Sequence, residues 1–232
     1  MKRNHFSAVF RKQWLDIWKN KTILIQFFMF PVLAVIMENS VKMEGMPEHF
    51  FVNLYAIMYV GMAPLTSMAA IIAEEKEKNT LRVLLQADVT PASYLFGIGC
   101  LVFLGCMAGG VVFAVTGGYR GRDAIWFLLL LAFGILVSAV LGAGIGTVSK
   151  NQMSATSITV PVMLIFSFLP MLSMFNTHIE KVAKYTYSQQ LYLLVQELGG
   201  QSIGLENIAI VLVNFLLGVL FFGYAYKRCG LA

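Results

Sequence analysis

Phe50 to Ala73 runs without a single charged residue, and Glu74-Glu75-Lys76-Glu77-Lys78-Asn79-Thr80-Leu81-Arg82 follows at once. An apolar run that long spans a bilayer core as a helix, which takes roughly 20 residues. The charged stretch behind it marks the emergence of that helix into water. Glu74 and Lys78 stand at i, i+4 in the favourable order, so the helix is expected to continue past the apolar run. Leu81, Leu84 and Leu85 then form an apolar patch, and Thr90-Pro91 closes the segment. The reading is a short helix over about 75–86 with a charged start and a leucine knob, suited to a groove on a soluble partner.

The rest of the chain repeats the apolar theme. Of its 232 residues 58% are hydrophobic and only 12% charged, and the mean hydropathy is +0.74. Soluble domains are about a quarter charged. Spans are expected at about 22–37, 50–73, 94–116, 124–148, 158–175 and 207–226. This is an all-α integral membrane protein with six transmembrane helices. Residues 1–21 precede the spans as an amphipathic interfacial helix, with Phe6, Val9, Phe10, Trp14, Ile17 and Trp18 on one face and Lys2, Arg3, Arg11, Lys12, Lys19 and Lys21 elsewhere. A cleavable signal peptide fits less well, because Pro31 interrupts the apolar run and no small-residue cleavage site follows.

Six crossings put both termini on one side. With the N-terminus inside, Lys2, Arg3, Arg11, Lys12, Lys19, Lys21, Lys76, Lys78, Arg82, Lys150, Lys227 and Arg228 fall inside. Lys42, Arg120, Arg122, Lys181 and Lys184 fall outside. The excess places both termini in the cytoplasm. Arg120 and Arg122 run against the rule, so spans three and four are its weakest part. The net charge of +5 serves orientation, and nucleic acid is not a partner.

Much chemistry is missing. No ionisable residue lies well inside a span, which disfavours an ion-coupled secondary transporter. His5, His49 and His178 lack metal-ligand spacing, and Cys100, Cys106 and Cys229 imply no disulfide framework. Gly142-Ala143-Gly144-Ile145-Gly146 lacks the Lys-Ser/Thr of a phosphate loop and reads as close helix packing, as do Gly105, Gly109 and Gly110. The chain has no energy source of its own.

Glu75-Lys76-Glu77-Lys78-Asn79-Thr80-Leu81-Arg82 with Leu84-Leu85 and Thr90-Pro91, placed after the second of six spans, resembles the signature of ABC-2 type transporter permeases. Asn79 stands where that pattern has Gly, and Thr90-Pro91 lies a few residues further on than usual. The resemblance implies two copies of a separate ATPase subunit, which hold the ATP and Mg, beneath two permease subunits in a homodimer or heterodimer. This chain would hold no cofactor or metal and would not itself be an enzyme. Glu74, Glu75, Lys76, Glu77, Lys78, Thr80, Leu81, Leu84 and Leu85 would couple to the ATPase, with the N-terminal helix (Phe6, Phe10, Trp14, Trp18) as a second contact. Nucleotide-driven closure would switch a cavity between the permeases from inward to outward opening.

That cavity would be lined by the second and fifth spans, with Phe51, Tyr55, Met58, Tyr59, Met62, Met163, Phe166 and Met174 as its wall. Met and aromatic walls of this kind suit varied greasy ligands. The segment 176–206 would form short outer helices folding back to the membrane, with Leu191, Leu194, Val195 and Leu198 on an amphipathic face. The implied role is export of a peptide toxin or antimicrobial peptide across a bacterial cytoplasmic membrane. Multidrug or lipid export is the alternative within the family, and an ion-coupled transporter or a non-transporting scaffold the alternatives outside it.

Overall fold

A computed structural model describes residues 5–41, 45, 47–86, 89–198 and 204–230. The side chains of Phe6, Val9, Arg82, Leu84 and Leu85 lie outside the described set. All regular structure among the described residues is helical: α1 (His5–Lys19), α2 (Lys21–Ser40), α3 (Phe50–Glu77), α4 (Thr80–Gln86), α5 (Pro91–Thr116), α6 (Gly121–Val148), α7 (Gln152–Ser173), α8 (Thr177–Ala183), α9 (Tyr187–Gln196) and α10 (Leu205–Cys229). Six of them, α2, α3, α5, α6, α7 and α10, are long and apolar enough to cross a membrane. Their ends carry local signals. Asn20, Thr90 and Asn151 accept a backbone N–H three residues on and so cap α2, α5 and α7. The helices overrun the expected spans, most of all at α7, which starts at Gln152 rather than near 158 because Asn151 caps it there.

α3 is the axle. In its most apolar window 89% of the residues are buried, against 17% for α10. It packs against α2, α5, α6, α7 and α9. Close approach is possible where glycine faces backbone: Gly142 of α6 lies on the Leu65 carbonyl, and Gly61 of α3 lies on the Phe166 carbonyl of α7.

Proline supplies the next tie. Pro64 has no N–H to give the Val60 carbonyl one turn back. Ser138 of α6 donates to that carbonyl instead, at 2.6 Å, and its hydroxyl also bonds the Tyr187 hydroxyl of α9 at 2.7 Å. A polar group freed inside a membrane helix is thus satisfied by a neighbour. The bond also draws α9 inward. Phe166 packs on the Tyr187 ring at 4.8 Å, and Asn214 of α10 donates to the Tyr185 carbonyl at 2.9 Å.

Of the segment expected to form outer helices, α9 packs on α3, α6, α7 and α10, while the neighbouring α8 keeps Glu180 and Lys181 exposed.

The crossings alternate as the sequence implied, α5 and α6 included. At one end, Lys76 of α3 donates to the Thr147 carbonyl of α6 at 2.6 Å, and the Gln152 amide of α7 donates to Glu77 at 2.9 Å. At the other, the Tyr119 hydroxyl between α5 and α6 donates to Asn53 of α3 at 2.6 Å. Arg120 and Arg122 follow Tyr119 at that second end. α1 and the close of α10 share the first.

Candidate coupling site at the charged end of the bundle

The helix expected over 75–86 is two pieces. Glu74 to Glu77 are the last turn of α3, and α4 begins only at Thr80. Asn79 separates them with φ of +55°. That left-handed conformation costs an ordinary L residue about 1–2 kcal/mol, and Asn and Gly are the residues that visit it routinely. The departure from Gly at this position is therefore structurally conservative. Asn79→Gly is expected to leave stability unchanged, and Asn79→Val to lower it by about 1–2 kcal/mol, as read by thermal unfolding in detergent. Equal stability of the two variants would refute the strained turn.

The charges before the break face inward or sideways. Glu75 is buried and pairs with Lys12 of α1 across 63 positions of sequence. Tyr94 of α5 lies beside it. Glu74 accepts from Asn20 at 3.3 Å and from Gln152 at 3.2 Å, and it also takes Lys78. That hydrogen bond holds the Lys78 ammonium above its ordinary pKa. The acid–base run is thus a junction joining α1, α2, α3, α6 and α7. Thr80 donates to the Glu75 carbonyl at 3.2 Å and sets the first turn of α4 against the end of α3.

Two expectations change here. Leu81, read as part of an outward knob, is 1% exposed and packs into the chain's own core. Among the described side chains of α4, Val83 is the exposed apolar one, at 62% exposure. From sequence Lys12 reads only as one of the basic residues of the N-terminal segment, and Asn20, Thr147 and Gln152 are not site residues there. A signal for the buried acid was present, since Glu75 stands four and three residues after Ile71 and Ile72, both buried on α3. A cavity of about 760 Å³ opens beside the junction, lined by Lys12, Asp16, Asn20, Lys21, Glu74 and Lys78 among others. It presents both signs of charge to the aqueous side.

The apolar stripe of α1 is split rather than single. Ile17 is buried and Phe10 half-buried against the core, where α1 packs on α5. Trp14 and Trp18 are exposed and meet edge to face at 5.9 Å. Such rings suit the headgroup region.

The residues expected to wall a cavity also divide. Met58 and Tyr59 do not line one: both are buried, and the Tyr59 ring packs on Phe113 of α5 at 5.4 Å. α3 is enclosed on most sides, and these two point at neighbours. Phe51 and Tyr55 remain half-exposed and stack at 6.3 Å. Met62, Met163 and Phe166 are half-buried, and Met174 is exposed, its sulfur 3.6 Å from the Tyr192 hydroxyl.

Six long apolar helices with a braced ionic junction at one end have the build of a multi-pass membrane subunit. Residues 12–227 match the ABC-2 family transporter proteins, and the chain belongs to that family. It is the membrane subunit of a transporter, and the ATPase with which it partners is a separate subunit. No curated protein matches the chain.

Proposed function

We propose that this chain is the permease of an ATP-driven exporter that moves an amphipathic or hydrophobic substrate, most concretely a peptide toxin or antimicrobial peptide, out of a bacterial cell by alternating access. Two copies of the ATPase dock beneath two permease subunits, carrying the ATP and Mg. Both termini face the cytoplasm of a bacterial cytoplasmic membrane, as the 12 of 17 Lys and Arg at that end favour. α4 and the last turn of α3, with Glu74, Glu75, Lys76, Glu77, Lys78 and Thr80, form the lever, and α1 is its second arm. The observation that carries this reading is the exposed Val83 on a short helix hinged at Asn79 and tied through Thr80 to the buried axle. A push on α4 reaches α3 directly.

Support for a greasy cargo comes from the spans, whose half-exposed Phe51, Tyr55, Met62 and Met163 offer soft apolar surface. The sparsely buried α2 and α7 leave room for a second subunit beside them.

Val83→Asp tests the lever. It places a charge on the exposed face without entering the core, so the chain is expected to insert and bind its ATPase. Substrate-stimulated ATP hydrolysis and export in reconstituted vesicles are expected to fall by roughly tenfold or more, the effect of a charge left unpaired in a docking groove. Full export by this variant would remove α4 from the coupling path. Export that persists without ATP but collapses with the ion gradient would instead favour a secondary transporter.

A further inference from the structure

The end of the bundle away from the coupling junction carries a polar cluster of its own. Glu38, near the close of α2, accepts the Val52 amide of α3 at 3.3 Å with one carboxylate oxygen. Its other oxygen lies 3.8 Å from Nδ1 of His49, the residue just before α3. The His49 ring packs on the Tyr119 ring at 5.4 Å. Tyr119, from the turn between α5 and α6, donates to Asn53 of α3 at 2.6 Å and stacks on Phe127 of α6 at 4.5 Å. One imidazole thus stands where α2, α3 and the α5–α6 turn meet. His49 holds that place with a left-handed backbone, φ +59°, a conformation that persists only where the surroundings fix it.

Histidine is the residue type that changes charge between pH 5 and 8. Carboxylates are ionised and tyrosines neutral over that range, and burial pushes the Tyr119 hydroxyl up to about 12, so it donates throughout. The charged groups around His49 are Glu38 of α2, the exposed Glu48 beside it in the chain, Asp123 of α6, whose charge reaches Tyr119, and the exposed Arg120 and Arg122 of the α5–α6 turn. Among the described residues Glu38 is the one in ion-pair reach. In acid the neutral contact becomes an imidazolium–carboxylate pair, with the cation against the Tyr119 ring. The positive end of the α3 dipole opposes that charge, and the Glu38 carboxylate, which holds the same helix end through the Val52 amide, offsets it.

We propose that His49 and Glu38 form an acid-strengthened latch, which holds α2, α3 and the α5–α6 turn together more tightly in mild acid than at neutral pH. Its contribution is present where the imidazole is charged and fades as pH rises through the imidazole titration. The latch is a property of the bundle and stands apart from the export reading. Only the side whose pH it senses rests on that reading, which makes it the outer side.

The test uses the full-length protein with Cys100 and Cys229 changed to Ser, Cys106 being buried. Nitroxides are placed at Ser40→Cys of α2 and Val115→Cys of α5, both exposed. Distances between them are read by electron spin resonance in detergent. The distribution is expected to be narrow at pH 5.5 and to broaden at pH 7.5. His49→Gln and Glu38→Gln are each expected to give the broad distribution at both pH values, whereas His178→Gln keeps the response. In thermal unfolding the advantage of the wild type over His49→Gln is expected to be about 2 °C greater at pH 5.5 than at pH 7.5. A distribution indifferent to pH in the parent, or a full response in His49→Gln, overturns the latch. In vesicles of uniform orientation, acid on the side opposite α1 is expected to suffice. A response only to acid on the α1 side would place His49 on that side and overturn the topology while leaving the His49–Glu38 pair in force.

Discussion

Gly142→Leu is expected to prevent the bundle from assembling as a monodisperse protein, the largest single-residue effect in this chain. A Cβ at Gly142 would overlap the Leu65 carbonyl oxygen and come within 3.0 Å of its Cα. These are backbone atoms and have no rotamer to retreat into. One helical turn on, a Cβ at Gly146 would lie 3.0 Å from the Ala69 carbonyl oxygen. α6 would have to withdraw from α3 along the whole contact. The Leu65, Ala69 and Ile145 cluster would open, and the Ser138 bond to the Val60 carbonyl would be stretched. Overpacking costs about 1–3 kcal/mol where side chains can adjust, so backbone overlap sets this site at or beyond the upper end. Gly110→Ala is the control, because its Cβ would meet only side chains at ordinary contact distance, Leu131 at 3.6 Å and Leu128 at 3.8 Å. Size-exclusion profile and unfolding temperature in detergent give the answer. A Gly142→Leu protein with wild-type values of both would show that α3 and α6 do not meet as described.

The second large effect concerns the Lys12–Glu75 pair. Breaking a buried ion pair by removing one partner costs roughly 3–5 kcal/mol, mostly because the other charge is stranded. The two removals are not equivalent. Lys12→Ala leaves the Glu75 carboxylate buried among α1, α3 and α5. Glu75→Gln leaves an ammonium that is one-third exposed and already within 3.5 Å of Asp16. Lys12→Ala is therefore expected to cost near the lower end of that range, about 3 kcal/mol, and Glu75→Gln about 1 kcal/mol. The double variant is expected to be more stable than the sum of the singles. Strict additivity in a double-mutant cycle would show that the pair does not hold α1 to the bundle. Loss of the pair is also expected to free α1 from α3, so that transport falls more than ATPase binding.

How much could be read beforehand follows from the range over which each feature acts. The six apolar helices, the start of α5 at Thr90-Pro91 and the tolerance of Asn79 for a left-handed turn are local, and each is written in a few neighbouring residues. The inward turn of Leu81 is not local. It follows from the break at Asn79 and from the Thr80 bond to the Glu75 carbonyl, and a leucine at a helix start carries no mark of the side it will face. The Lys12–Glu75 pair was hidden for the same reason: two charges 63 positions apart meet only because α1 turns back along α5.

The sequence by itself determined that the chain lives in a bilayer, how often it crosses and which ends lie together, because hydropathy and charge act through solvent on each segment separately. Only the tertiary structure decided which helix is the axle. α3 has a mean hydropathy of 1.7 in its most apolar window and is the most buried span, while α10, at 2.4, is the least. In water the greasier helix would go inside. In lipid the tails are as apolar as leucine, so hydrophobicity does not choose between facing lipid and facing protein. Burial goes instead to the helix whose neighbours offer glycine for close approach and hydroxyls for freed carbonyls, and those partners become visible only once the helices are side by side.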